Sequence, residues 1–134
     1  MKFWSDLDGS TFFNQIFTTS VEIDIIELFT INIDNNRPTI ILEFDIKQLP
    51  DAPPPKWKRS DYNTCRIGLN CHGISDLTIK NIPTKEKLNI TITNKENIFT
   101  IHASNTSSLI EFKTKSPLLC GPSVYMRSSD SDQL

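Results

Sequence analysis

Between residues 39 and 82 apolar side chains recur at every second position on both sides of a proline-rich loop, and a period of two admits few folds. Ile40, Leu42, Phe44 and Ile46 alternate with Ile41, Glu43 and Asp45. Beyond the loop, Cys65, Ile67, Leu69 and Cys71 alternate with Arg66, Gly68 and Asn70. Such segments bury one face only as β-strands, and a slip of one residue would turn every apolar side chain outward. The loop itself, residues 47–62, carries Pro50, Pro53, Pro54 and Pro55, which fix φ and lower the entropic cost of ordering it.

The rest of the chain repeats the pattern in shorter pieces. Residues 20–33 alternate at first, with Val21, Ile23 and Ile25 opposite Glu22 and Asp24. The phase then slips at Ile25-Ile26 and again at Leu28-Phe29, which predicts a long strand with a bulge or two strands meeting at a bend. Residues 34–38 form a turn by composition, so this segment and the next make an antiparallel hairpin with an acidic outer face. Gly73 turns the chain towards Leu77, Ile79 and Ile82; then come Leu88, Ile90 and Ile92, then Phe99, Ile101 and Ala103, then Leu109 or Ile110 with Phe112. Near the start, Phe13, Ile16 and Phe17 have helical spacing behind Ser10 or Thr11 as N-cap. The expectation is one domain over residues 1–134, mostly β: an antiparallel sandwich or strongly curled sheet of about seven strands, with a short N-terminal helix and a tail frayed from about residue 127.

Charge and cysteine content narrow the function classes. A formal net charge of −2 speaks against a general nucleic-acid or anionic-membrane binder. No run of 18 apolar residues occurs, and the first ten residues hold acids where a signal peptide needs an apolar stretch, so the expected location is the cytoplasm. Three cysteines are an odd number; Cys65 and Cys71 share a face but lie about 20 Å apart along a strand, too far to bridge. Residues 1–52 hold nine acidic against three basic side chains, and residues 53–134 hold eleven basic against seven acidic. An acidic surface on the first half suits a basic partner.

Chemical motifs are sparse. Asp6-Leu7-Asp8-Gly9-Ser10 resembles the nucleophile loop of aspartate-based phosphotransferases, but that chemistry needs a buried strand before the first aspartate and an α/β scaffold behind it. A turn accounts for it better. His72 and His102 lack neighbouring ligands at metal-binding spacing, and no cofactor motif is present. Trp57, between Lys56 and Lys58, fits either a binding platform or an anchor that pins a 16-residue loop to the sheet; the loop's length favours the anchor. Asn63 is placed to bond loop backbone through its side chain.

Phe44-Asp45-Ile46, Pro50, Pro54-Pro55-Lys56-Trp57, Asn63-Thr64, Gly73-Ile74 and Leu77 form a set in which the chain resembles the immunity protein 50 family of bacterial polymorphic-toxin systems. Trp4, Gly9, Phe12-Phe13 and Ser123-Val124-Tyr125 extend the resemblance over most of the chain, and Ile82-Pro83 departs from it. The resemblance implies a non-catalytic antitoxin that binds a cognate toxin domain in the cytoplasm; a monomer or weak homodimer without cofactor is expected. Positions shared in such a family would hold the fold, leaving the contacts to exposed, unshared ones. The expected contact surface is the acidic face of Glu22, Asp24, Glu43, Asp45 and Asp51, with Trp57 and Tyr62 beside it. The rival reading is a carbohydrate- or small-ligand-binding sandwich using Trp57 and Tyr62.

Overall fold

Eight antiparallel strands lie in one open sheet of order β4-β7-β6-β5-β1-β2-β3-β8 in the computed structural model, which describes residues 1–128. They are β1 (Ile25–Asp34), β2 (Thr39–Ile46), β3 (Thr64–His72), β4 (Ser75–Lys80), β5 (Lys87–Lys95), β6 (Ile98–Ser104), β7 (Leu109–Thr114) and β8 (Ser116–Tyr125). Two short helices, α1 (Thr11–Ile16) and α2 (Pro55–Lys58), complete the fold. Of the two expected architectures, the single curled sheet is the one formed, with eight strands rather than seven. The additional strand is β8, whose Pro117, Gly121 and Pro122 hide the alternation. An edge strand tolerates such residues, because a missing N–H there breaks no ladder bond.

A bend in one ribbon makes the sheet curl. β3 pairs with β8 from Thr64↔Tyr125 to His72↔Ser116, and β4 pairs with β7 from Ser75↔Lys113 to Lys80↔Leu109. Only Gly73-Ile74 separates β3 from β4, and only Lys115 separates β7 from β8. The two ladders are therefore one long hairpin folded over at its middle, yet they form opposite ends of the strand order. At the bend Gly73 takes a φ of +64°, a conformation that suits glycine. The His72 carbonyl accepts from the Lys115 N–H at 3.0 Å and from the buried Thr114 hydroxyl at 2.6 Å.

The concave side holds one apolar cluster. It takes Ile40, Leu42, Phe44 and Ile46 from β2, Cys65, Ile67, Leu69 and Cys71 from β3, and Leu88, Ile90, Ile92, Ile101, Ala103, Ile110 and Phe112 from β5–β7. The N-terminal segment plugs it: Trp4 lies 5.3 Å from Phe44 between ring centroids, and Phe13 stacks on Phe17 at 4.5 Å. Removing a side chain buried like Trp4 would cost about 3–5 kcal/mol. The strand expected from residue 20 begins only at Ile25, because residues 20–24 pair with the N-terminus: the Trp4 N–H donates to the Val21 carbonyl, and Phe3 bridges Glu22. The slip at Leu28-Phe29 is a bulge, since Leu28 opposes Phe44 and Thr30 opposes Glu43, leaving Phe29 as the extra residue. The tail expected to fray includes Arg127, which is docked on the sheet by its ion pair with Glu27; residues 129–134 lie outside the described residues. Among the described residues no helix is long and apolar enough to cross a membrane.

Two consequences are measurable. Gly9 has a φ of +84°, and a Cβ there would sit 2.5 Å from the Leu119 carbonyl oxygen, so Gly9→Ala is expected to cost about 2 kcal/mol in urea unfolding. Burial pushes the Cys65 and Cys71 thiols up to about 12, while Cys120 is exposed. A thiol-reactive disulfide reagent should therefore label one cysteine in the native protein and three after unfolding.

Candidate functional site

Among the described residues nothing is packed over the outer face of β1, β2, β3 and β8 at its Phe29 end, and the ladder registers bring three charged residues there. Glu27 opposes Asp45, and Asp45 opposes Arg66. Arg66 donates from Nε to Asp45 Oδ1 at 2.8 Å and from Nη2 to Oδ2 at 3.3 Å, a forked pair. Its Nη2 also donates to the Tyr125 hydroxyl at 2.7 Å, and that hydroxyl donates to Asp45 Oδ2 at 2.6 Å. Arg127 pairs with Glu27 and stands 3.7 Å from Asp45, while Asn63 holds the Arg127 backbone through bonds of 2.8 and 3.0 Å. The Arg66 guanidinium is sandwiched between Phe29, 3.6 Å from the ring centroid, and Tyr125, at 4.5 Å. With both carboxylates paired, removing one partner would strand a buried charge and cost about 3–5 kcal/mol.

This network floors an open groove of about 680 Å³. Phe29, Ile82 and Met126 line it and are 58%, 77% and 57% exposed, among the most exposed large apolar side chains of the protein. The bulge turns Phe29 outward, and the guanidinium beneath it holds the ring still, a stacking worth about 1–2 kcal/mol. A fixed aromatic ring flanked by a methionine and an isoleucine, over a half-buried, paired arginine, has the composition of a protein–protein contact.

The structure places the residues singled out in the sequence differently. Asp45 is only 7% exposed and is the centre of the network, so it is not a surface acid. Glu22 and Asp24 precede β1 and face Lys2 at 4.0 Å and Lys47 at 3.0 Å. Asp51 binds the Thr18 hydroxyl and backbone N–H, which lower its pKa. Glu43 is half-buried and accepts from Thr30 at 3.4 Å. The expected acidic face of the first hairpin is thus not formed as a patch: its charges are separated and mostly paired. Trp57 packs edge-to-face on Phe12 at 5.7 Å and against the core, which is the anchor role; Tyr62 is half-buried at the loop's end, and neither lines the groove. Asn63 does bond backbone, but that of Arg127 rather than of its own loop. Sequence reasoning missed Phe29, Arg66, Tyr125 and Arg127 as a site, although the slip at Leu28-Phe29 marked the bulge.

One other polar cluster has the order of an acid, a base and a hydroxyl. His102 Nδ1 lies 2.6 Å from Glu111 Oε2, and its Nε2 lies 3.2 Å from Ser104 Oγ. β6 is interior to the sheet, however, and Ser104 is paired to Asn89 on one side and Leu109 on the other. Its neighbouring backbone N–H groups belong to the ladders and cannot form an oxyanion hole. The cluster is a cross-strand contact. Among the described residues no three His, Cys, Asp or Glu side chains converge as metal ligands.

A family model described as "Immunity protein 50" matches residues 9–125. No curated protein and no solved structure matches the chain.

The network predicts a pH signature. Burial, then the hydrogen bond to Asp45, pushes the Tyr125 phenol from 10.0 up to about 12. A raised tyrosine keeps its proton in the folded state longer than in the unfolded one, so its contribution is complete below pH 10 and lost towards pH 12. Tyr125→Phe should cost about 2 kcal/mol at pH 7. In urea unfolding the gap to the wild type should narrow as pH rises through that window.

Proposed function

The chain belongs to the immunity protein 50 family, and we propose on that premise that it binds and neutralises one cognate toxin domain by covering it, with no chemistry of its own. The observation that carries the reading is the Phe29–Ile82–Met126 groove over the Asp45–Arg66–Tyr125 network. In the same proposal, the chain is a single cytoplasmic domain of a bacterial polymorphic-toxin system, a monomer or weak homodimer when free.

The size of the surface fits. Four strands by eight residues span roughly 19 by 26 Å, on the order of 500 Å² in projection. Side-chain relief and the loop carrying Ile82 bring this towards the roughly 800 Å² per partner of a standard interface. Rigidity fits as well, because a ring already held in place loses little entropy on binding. Glu43 lies on the same face, and we assign it to the rim together with Glu22 and Asp24, which precede β1, and Asp51, in the loop after β2, since charges outside the core of a contact set association rate more than affinity. Asp45 acts only through Arg66 and Tyr125. The carbohydrate-binding alternative gains nothing from the geometry, since Trp57 is used to hold its own loop.

The test uses the toxin domain encoded beside this chain. Phe29→Ala should weaken its binding by about tenfold or more, mostly through faster dissociation, while the folded state loses no more than the roughly 1–2 kcal/mol of the ring's stacking on Arg66. Glu43→Lys should slow association and reduce its salt dependence. Wild-type affinity in Phe29→Ala would remove the groove from the interface.

A further inference from the structure

An open sheet has two edges, and this chain treats them differently. The β8 edge is covered by the N-terminal segment: Asp8 bridges Leu118, and the Leu119 N–H donates to the Asp8 carbonyl at 2.8 Å. Pro117 and Pro122 remove two further donors from that strand. Among the described residues the β4 edge has no such cover. All six of its residues are exposed, and among the described residues its backbone has no ladder partner other than β7. Leu77 and Ile79, two positions apart, are each 39% exposed.

We propose that β4 receives an extended segment of the toxin as a ninth strand of the sheet. The inference rests on the toxin-binding reading above and adds the form in which the partner is held. Three observations choose this occupant. First, Ile82 follows β4 by two residues and is a wall of the Phe29 groove, so a chain laid along β4 continues into that groove. Second, Leu77 and Ile79 alternate with Thr78 and Lys80, which fits a strand with apolar residues at every second position. Third, Asp76 is paired with Lys113 at 3.4 Å, while Lys80 and Lys85 are exposed beside the path, so the segment should carry an acidic residue. The bulge between Ser75 and Thr78, where Asp76 has a φ of +53°, limits regular pairing to about residues 77–80. Such a short edge does not gather strands indiscriminately, and the groove supplies the rest of the contact.

Hydrogen exchange of the complex with the neighbouring-frame toxin decides the matter. Slowed exchange in residues 75–82 together with 27–31 and 123–127 is the expected result, and Ile79→Lys, assayed at a temperature where its circular dichroism matches the folded wild type, should weaken binding about tenfold. Slowed exchange in the groove segments alone would overturn the ninth-strand proposal and leave the toxin-binding reading standing. No slowing in any of the three segments would overturn both. Slowing of residues 75–82 in the protein alone, with a doubling of its mass as concentration rises, would give the edge to a second copy and overturn the proposal.

Discussion

Everything in this fold hangs on the bend of one β-ribbon. The chain from Thr64 to Lys80 pairs with the chain from Leu109 to Tyr125 in a single hairpin interrupted at Gly73-Ile74 and Lys115. Because its two halves form opposite ends of the strand order, the sheet has to curl for both to exist. Curling gives the inward faces of β2, β3 and β5–β7 a common interior, which α1 and Trp4 complete. Among the described residues it also leaves the outward face of β1–β2–β3–β8 uncovered at its Phe29 end. Core and candidate interface are two sides of the same constraint.

The second organising interaction is electrostatic, and it corrects a reading of the linear sequence. Acidic residues concentrate in the first half of the chain and basic ones in the second. Taken as surface, this asymmetry suggests an acidic face; in three dimensions much of it is neutralised internally. Arg66 and Arg127 come from the second half and settle on Asp45 and Glu27 from the first. Charge segregated along a chain can therefore serve to join its two halves. Beside the neutralised network the groove presents three well-exposed apolar side chains, Phe29, Ile82 and Met126.

Strands β2 and β3 were legible because alternation is a local property, and the Leu28-Phe29 slip announced the bulge for the same reason. β8 was not legible, since its prolines and glycine are tolerated only at an edge, and edge position follows from tertiary pairing. The anchor role of Trp57 could be weighed from loop length alone. The network could not, because Asp45, Arg66 and Tyr125 meet through ladder registers between strands far apart in sequence. Asp45 read as a surface acid because its neighbours Phe44 and Ile46 face inward; the arginine that covers it lies 21 residues away. The 75–82 segment shows the same limit, for its alternation predicts a strand but not that this strand ends the sheet.

The central claim is that the uncovered Phe29 face is where the toxin sits. A crystal structure of the complex tests it most directly. The account predicts the Phe29 ring, Ile82 and Met126 buried together in one contact, with the Arg66–Asp45–Tyr125 network unchanged beneath them. A toxin seated instead on the outer face of β5, β6 and β7, with the Phe29 groove open to solvent, would contradict it.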